Sequence, residues 1–268
     1  MELELAPPNS RSSLRPVPQS EVARPVPPPP QRRRGYTIAK GVLDRAVAAG
    51  LLVATAPLLV VGWLLVRLTS KGPGFYSQLR VGLGGRTFRI YKLRSMYHNV
   101  EAVTGGVKWS TRGDSRVTPV GRVLRKLHID ELPQLWNVLV GDMSMVGPRP
   151  ERPELVPGLA QQIPGYLERL TVPAGLTGLA QIQLPADSDL DSVRRKLLFD
   201  RCYAAQADLW LDLRLMAATG GYLAGLSDRM VRRMFALPDP VHMTETLTDV
   251  PNLSCSPHTT QARPPAVQ

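Results

Sequence analysis

A run of 21 residues without an ionisable side chain, Ala46–Val66, constrains this 268-residue chain more than any other feature. About 20 apolar residues in a helix can cross the hydrocarbon core of a bilayer, which is roughly 30 Å thick. A buried helix of a soluble core is the alternative, but such helices usually keep a polar face, and this run has none. The sequence therefore predicts a membrane segment over residues 36–71.

Basic residues flank the run on both sides. Residues 32–34, Lys40 and Arg45 precede it with Asp44 as the only acid, and seven basic residues follow before the next acid. Positive flanks mark the cytoplasmic side of a membrane segment, so a re-entrant hairpin fits both flanks better than a single crossing. Pro57, near the middle of the run, predicts the break in the helix. A proline-kinked helix that crosses the membrane is the alternative.

The net charge of +11 is concentrated in the first part of the chain. Residues 36–150 carry 16 basic and 6 acidic side chains, whereas residues 151–268 carry 11 and 13. Such an excess predicts a polyanionic partner, which could be nucleic acid, anionic lipid or a phosphorylated substrate. The composition, with 43% hydrophobic and 21% charged residues, excludes a collagen, a coiled-coil rod and a fully disordered chain. Two cysteines are too few for a disulfide scaffold or a cysteine zinc cluster.

Both ends of the chain are rich in proline. Residues 1–35 hold nine prolines and predict a disordered or polyproline II leader, with an SH3-type ligand as the alternative. Residues 238–268 predict a disordered tail. A folded domain is expected between the membrane segment and this tail, over residues 72–237.

Short-range patterns predict that this domain is a mainly helical α+β fold. Residues 75–81 and 86–93 are expected to be two strands joined by a Gly-Gly turn. Residues 191–225 are expected to form a longer helical region, broken near Gln206.

Two further helices are predicted in the middle of the chain. Thr118 followed by Pro119 is an N-cap pattern, and the helix it begins is expected to run to about Leu127. The next helix is expected to begin near Asp130. Its predicted apolar face consists of Leu132, Leu135, Trp136 and Leu139.

The adjacent acids Asp130 and Glu131 are the first candidates for chemistry. Capping of the predicted helix would explain them, because acids in the first turn complement the helix dipole. The same helix N-terminus could instead hold a diphosphate together with nearby arginines, and a divalent cation could offset the repulsion between carboxylate and phosphate. Four basic residues precede the pair within 14 positions: Arg116, Arg122, Arg125 and Lys126.

A second candidate is Arg149, in the sequence Gly-Pro-Arg-Pro at residues 147–150. The two prolines fix φ on either side of the arginine. A guanidinium on such a stiff loop loses little entropy when it binds phosphate oxygens. An ordinary loop arginine is the alternative.

The stretch from Asp114 to Pro150, DSRVTPVGRVLRKLHIDELPQLWNVLVGDMSMVGPRP, resembles the core of the bacterial sugar transferases. These are the monotopic polyprenyl-phosphate phosphoglycosyl transferases. The resemblance covers roughly Ala39 to Gly225, and its specific part is DELPQ followed by GDMS and GPRP. It includes the segments Phe88–Met96, Val172–Gln183 and Trp210–Leu215.

The resemblance implies transfer of a sugar 1-phosphate from a UDP-sugar to undecaprenyl phosphate, with release of UMP. This reaction begins exopolysaccharide, capsule or glycoconjugate assembly. In the family the aspartate of the Asp-Glu pair is the nucleophile, which here is Asp130, and an aspartyl-phosphosugar intermediate follows. The glutamate, here Glu131, helps to hold Mg²⁺.

Further site residues are expected around this pair. The resemblance places Lys92 beside the site, and Arg125 and Arg149 are expected to take up charge on the transferring phosphoryl group. Asp200 matches a late acidic residue of the family, without a clear role. Arg94 is a further, secondary candidate.

The resemblance also bears on the membrane segment. The family has a re-entrant helix broken at a proline that commonly follows serine, whereas this chain has Ala56 before Pro57 and lacks that hydroxyl. The implied location is the bacterial inner membrane, with the catalytic domain on the cytoplasmic face. The expected partners are the UDP-sugar, undecaprenyl phosphate and membrane lipid, not nucleic acid, and a homodimer is left open. The chain would be a short form that lacks an extra N-terminal membrane module.

Two other functions remain compatible with parts of the sequence. A non-enzymatic, membrane-anchored anion-binding protein explains the charge and the apolar run, but it gives the two adjacent acids no purpose. A membrane-bound phosphatase or diphosphate hydrolase would use the same aspartyl-phosphate chemistry, with water in place of the lipid acceptor.

Overall fold

The structure, a computed structural model, describes residues 26–28, 32, 34–100, 113–185 and 189–238. The predicted leader and tail lie almost entirely outside these residues. The described part is mainly helical, as the sequence predicted, and it contains two small sheets, of which the sequence predicted one. Its helices are α1 (Arg34–Thr69), α2 (Pro119–Lys126), α3 (Gln134–Val140), α4 (Val156–Gln162), α5 (Leu179–Gln183), α6 (Leu190–Gln206), α7 (Leu209–Leu223) and α8 (Asp228–Met234). Its strands are β1 (Phe75–Val81), β2 (Thr87–Leu93), β3 (Ser144–Val146) and β4 (Gly175–Thr177), and short 3₁₀ helices lie at Leu83–Gly85, Ile129–Glu131 and Tyr166–Thr171.

The first sheet is the predicted β-hairpin. Strands β1 and β2 pair antiparallel, with Tyr76 opposite Lys92. Gly84 and Gly85 in the connection have φ angles of 64° and 79°, which residues with a Cβ rarely adopt. The second strand begins at Thr87, one residue later than predicted, because the preceding residue still closes the turn.

Helix α2 confirms the predicted N-cap pattern. The Thr118 side chain accepts a hydrogen bond from the Gly121 amide at 2.9 Å, and Pro119 is the first helical residue. The helix ends at Lys126, within one residue of the predicted end.

Helix α3 begins later than predicted. It starts at Gln134, and its N-cap is Pro133, with no side-chain capping bond. His128 has a left-handed conformation at φ 55°, and the Ile129–Glu131 segment forms a separate 3₁₀ helix before α3. Since Asp130 lies in this 3₁₀ helix and not in α3, the prediction that α3 begins near Asp130 was wrong.

The buried face of α3 also differs from the prediction. Leu135 and Val138 are 1% exposed, whereas Trp136 is 50% exposed. Between them Asn137 is fully buried and joins α3 to β2. Its Nδ2 donates to a β2 carbonyl at 2.8 Å, and its Oδ1 accepts from a β2 amide at 3.3 Å. An amide thus occupies the buried face, which apolar periodicity cannot indicate.

The C-terminal helical region is divided where the sequence predicted. Helix α6 ends at Gln206, and α7 begins at Leu209. The side chains of Asp189 and Asp208 cap the first turns of α6 and α7, each accepting from a backbone amide at 2.7 Å.

The second sheet was not predicted. Strands β3 and β4 are three residues long and pair in parallel, with Ser144 opposite Gly175 and Val146 opposite Thr177. Both lie beside the main apolar core, whose largest fully buried side chains include Leu135, Val146, Phe199 and Leu215. Strand β3 leads directly into the Gly-Pro-Arg-Pro loop.

Among the described residues, α1 is the one helix long and apolar enough to cross a membrane. It has 36 residues and is continuous through Pro57, where the sequence predicted a break. A proline removes one helical hydrogen bond and can bend a helix without ending it. Before Pro57, Ala48 and Leu52 pack into the main core; after it, Leu59 and Val66 join a cluster formed with β2 and α2.

Polar contacts fasten both ends of α1. At the start, Lys40 Nζ lies 3.0 Å from a carboxylate oxygen of Asp212 on α7, and Asp44 accepts from the Ser144 hydroxyl at 2.7 Å. At the end, Arg94 donates to the carbonyls of two residues that follow α1, at 2.6 and 2.9 Å. Residues 53–58 between the two arms are exposed apart from the half-buried residue 55.

Candidate active site

The 3₁₀ helix between α2 and α3 carries the two adjacent acids, Asp130 and Glu131. Neither caps α3, because the N-cap is Pro133 and no side chain bonds to the free amides there. The capping explanation therefore does not account for the pair. The electrostatic surroundings of the two acids differ sharply, and they indicate what each acid can do.

Glu131 is held by two cations. Lys92 Nζ donates to its Oε1 at 2.7 Å, and Arg149 Nη1 donates to its Oε2 at 3.1 Å. The second guanidinium nitrogen of Arg149 also donates to Oε1. Burial alone would raise the pKa of Glu131, but Arg149 and Lys92 outweigh burial and hold that pKa well below its usual value. This carboxylate is ionised and fixed in position.

Asp130 lies in the opposite environment. It is 6% exposed, and no residue in the described part of the chain donates a hydrogen bond to its carboxylate. Burial and the neighbouring charge of Glu131 raise the pKa of Asp130, against the opposing effects of Lys92, Arg125 and Arg149. An ionised carboxylate without hydrogen bonds keeps its lone pairs available, which suits a nucleophile.

Lys92 reaches the pair from strand β2. Its side chain is only 17% exposed, and burial lowers its pKa while Glu131 opposes that effect. Asn137 sets the position of this strand against α3 through the two bonds described above. Sequence reasoning missed Asn137; the signal was a lone amide in the otherwise apolar stretch LWNVLV.

Arg149 reaches the pair from the Gly-Pro-Arg-Pro loop, and its side chain is 43% exposed and open to a ligand. The loop is tightly held, since every carbonyl from Pro148 to Glu151 accepts a hydrogen bond. In order, the donors are the Gly175 amide (2.9 Å), Arg169 Nη2 (2.8 Å), Arg80 Nη1 (3.1 Å) and the Val81 amide (2.8 Å). At the start of the loop, a Cβ on Gly147 would lie 2.2 Å from the backbone oxygen of Pro173, just before β4, so only glycine fits.

The other predicted site residues lie at different distances from the pair. Arg125 donates to the Ser95 hydroxyl at 2.8 Å and is near enough to lower the pKa of Asp130. Arg94 binds carbonyls at the end of α1 and makes no contact with the acids. Asp200 lies 2.8 Å from Arg169, behind the loop that carries Arg149.

The same acids are the candidates for a divalent cation. Within the described ranges no group of three or more His, Cys, Asp or Glu side chains comes together. Mg²⁺ does not need such a group, because it is usually held by one or two carboxylates together with substrate phosphates and water. The donor set of Asp130 and Glu131 therefore fits Mg²⁺ in the presence of a diphosphate.

Two carboxylates within a ring of three cations can bind and attack a phosphate ester. Lys92, Arg125 and Arg149 together outweigh the two acids, which leaves positive charge for an incoming diphosphate. Asp130 is the carboxylate that accepts no hydrogen bond from residues within the described ranges.

Comparison with known proteins shows similarity to one family and to several of its named members. The family model described as "Bacterial sugar transferase" matches residues 35–224. A relative from Aeromonas hydrophila, named UDP-N-acetylgalactosamine-undecaprenyl-phosphate N-acetylgalactosaminephosphotransferase, is 42% identical over 184 residues. That match covers 69% of this chain and 43% of the relative. A relative from Caulobacter vibrioides, named UDP-glucose:undecaprenyl-phosphate glucose-1-phosphate transferase, is 42% identical over 192 residues, which is 71% of each chain.

Proposed function

The chain belongs to the bacterial sugar transferase family, and on that premise we propose that it transfers a sugar 1-phosphate from a UDP-sugar to undecaprenyl phosphate. The second product is UMP. The observation that carries the proposal is the Asp130–Glu131 pair, in which Lys92 and Arg149 hold one carboxylate and none of the described residues donates a hydrogen bond to the other.

The reaction divides into two displacements at one phosphorus atom. In the first, a carboxylate oxygen of Asp130 attacks the phosphorus that bears the sugar. The bond from that phosphorus to the bridging oxygen breaks, and UMP leaves with the electron pair. In the second, an oxygen of undecaprenyl phosphate attacks the same phosphorus and displaces the Asp130 carboxylate. Neither nucleophile needs a general base, because both are already ionised.

The basic residues neutralise the charge that accumulates during transfer. Arg149 and Lys92 lie on the Glu131 side of the pair and can redirect hydrogen bonds to the diphosphate oxygens. Arg125 approaches from α2. We propose that Glu131, with Asp130 nearby, holds Mg²⁺, which supplies further charge compensation to the diphosphate when bound. Loss of UMP release on chelation, with recovery on addition of Mg²⁺, tests this part.

Contacts at both ends of α1 support a re-entrant membrane segment over residues 36–71. The arm before Pro57 is tied to α7 and β3 through Lys40 and Asp44, and the arm after it packs against β2 and α2. If α1 crossed the bilayer, the same charged domain would have to contact it on both sides of the hydrocarbon core, which is very costly. A bend at Pro57 that places residues 53–58 deepest in the membrane avoids this cost.

The basic flanks of the apolar run support a cytoplasmic position for the catalytic domain, residues 72–237, at the bacterial inner membrane. A UDP-sugar is available on that side, and the lipid phosphate lies in the membrane surface. A domain held close to the membrane by both arms of α1 would meet both substrates.

The function is tested with purified protein, undecaprenyl phosphate and a panel of UDP-glucose, UDP-galactose, UDP-N-acetylglucosamine and UDP-N-acetylgalactosamine. We expect UMP release with at least one sugar nucleotide, matched by a lipid-linked sugar diphosphate. Release of UMP with free sugar phosphate and no lipid product would identify a hydrolase instead. No release with any member of the panel, despite binding of anionic vesicles, would favour a non-enzymatic anion-binding protein.

A further inference from the structure

We infer that Arg169 and Asp200 are positioning residues that hold Arg149 at the site of phosphoryl transfer. Arg169 Nη2 donates to the backbone carbonyl of Arg149 at 2.8 Å and lies 2.8 Å from a carboxylate oxygen of Asp200. Neither of the two touches Asp130 or its partner acid. This inference rests on the proposed function, because it concerns the geometry of that reaction.

Burial makes this contact more than a surface ion pair. The side chains of Arg169 and Asp200 are 9% and 5% exposed. The guanidinium also donates to the Tyr166 hydroxyl at 2.9 Å and lies 5.3 Å from the centre of its ring. Its position is therefore fixed from three directions: by helix α6, by the 3₁₀ segment at 166–171 and by the loop itself.

The position of Arg149 in its loop depends on the hydrogen bond that Arg169 donates to the Arg149 carbonyl. Of the four donors to the loop carbonyls, two are backbone amides of neighbouring strands and the other two are arginine side chains. Arg169 supplies the bond at Arg149 itself. A planar guanidinium can bind a carbonyl, a carboxylate and a hydroxyl at once, whereas a lysine ammonium at the end of a flexible chain cannot match all three positions.

The alternative is that the Arg169–Asp200 pair only stabilises the fold by joining α6 to the 3₁₀ segment. The chain offers a matched control for this case. Arg201, next to Asp200 on α6, pairs with Glu168 on the same 3₁₀ segment at 2.6 Å. The second pair joins the same two elements, and the structure shows no contact from it to the Gly-Pro-Arg-Pro loop.

The test compares Arg169→Lys, Arg149→Lys, their double variant and Arg201→Lys in UMP release with the UDP-sugar that the wild type uses best. We expect Arg169→Lys to lower kcat/KM roughly 10- to 100-fold through misplacement of Arg149. If Arg169 acts through Arg149, the double variant should be no more than about threefold worse than Arg149→Lys alone. Arg201→Lys should stay within about threefold of the wild type.

The inference would be overturned if the loss of kcat/KM in the double variant equalled the product of the two single losses. It would also be overturned if Arg201→Lys lost as much activity as Arg169→Lys. Hydrogen exchange gives a readout that does not depend on activity. The backbone amides of residues 147–152 should exchange faster than in the wild type in Arg169→Lys, and at the wild-type rate in Arg201→Lys. Equal exchange in both variants would also overturn it. If Arg169→Lys does not fold, Asp200→Asn takes its place, with the same expected direction. If both variants exchange as predicted but the wild type releases no UMP, the result counts against the proposed function and not against the positioning of Arg149.

Discussion

Asp130 and Glu131 are adjacent in sequence and lie in opposite electrostatic environments. Glu131 accepts hydrogen bonds from Lys92 and Arg149, and its pKa is held well below the usual value. Asp130 is buried beside it, accepts no hydrogen bond from the part of the chain that the structure describes, and has a raised pKa. One carboxylate is thus held by two cations, and the other is the one that we propose attacks the substrate.

The raised pKa of Asp130 predicts the acid side of the pH profile. Asp130 attacks only when ionised, so kcat/KM for the UDP-sugar should fall as pH falls through this raised pKa. The midpoint should lie above about 4, the ordinary value for aspartate. Initial rates of UMP release across the acid range, with each sample returned to pH 7 to show reversibility, measure it. A rate that stays constant down to pH 4 would contradict the expectation.

Asp130→Asn should remove activity and raise thermal stability. The folded state favours the protonated form of a carboxyl whose pKa is raised, so the ionised form lowers the free energy of unfolding at pH 7. A neutral amide of the same size relieves that cost. Thermal unfolding in detergent should give a higher Tm than the wild type, while UMP release is lost. A lower Tm would show that Asp130 is stabilised, not strained, by its surroundings.

Glu131→Gln should have the opposite effect on stability. Because the pKa of Glu131 is lowered, its ion pairs stabilise the fold fully above the ordinary glutamate pKa, and this contribution is lost as pH falls through the lowered value. Removal of the charge leaves Lys92 and Arg149 without their carboxylate, which should cost about 2–4 kcal/mol of unfolding free energy. Denaturant unfolding measures the cost. As the matched control, Glu154→Gln removes an exposed partner of Arg152 and should cost well under 1 kcal/mol.

The re-entrant topology predicts the accessibility of two engineered cysteines. Gly35→Cys and Phe75→Cys flank the membrane segment and are made in a background without Cys202 and Cys255. Both should resist an impermeant thiol reagent in intact cells, because both lie on the cytoplasmic side. Both should react after permeabilisation, which confirms that each thiol is exposed. Labelling of one of the two in intact cells would mean that α1 crosses the membrane.

Local patterns predicted the local elements well. The residues of β1 and β2, the glycines between them and the Thr118–Pro119 cap all act within a few residues of each other. The acidic pair and Arg149 could also be selected from sequence, because the surrounding basic residues and the family resemblance both point to them.

The remaining features depend on contacts that are distant in sequence. Strand β3 is three residues long and forms only against β4, about 30 residues later. The start of α3 at Gln134 follows from the separate 3₁₀ helix Ile129–Glu131 that precedes it, which the residue types do not dictate. Arg169 gave no local signal, since its role depends on a carbonyl 20 residues away and a carboxylate on another helix.

The most direct test of the account is whether Asp130 becomes covalently modified. The wild type and Asp130→Asn are incubated with the active UDP-sugar in the absence of undecaprenyl phosphate, quenched in acid and measured by intact mass. The wild type should gain the mass of one sugar phosphate and release a stoichiometric amount of UMP, whereas Asp130→Asn should do neither. An unmodified wild type that releases UMP only when both substrates are present would contradict it.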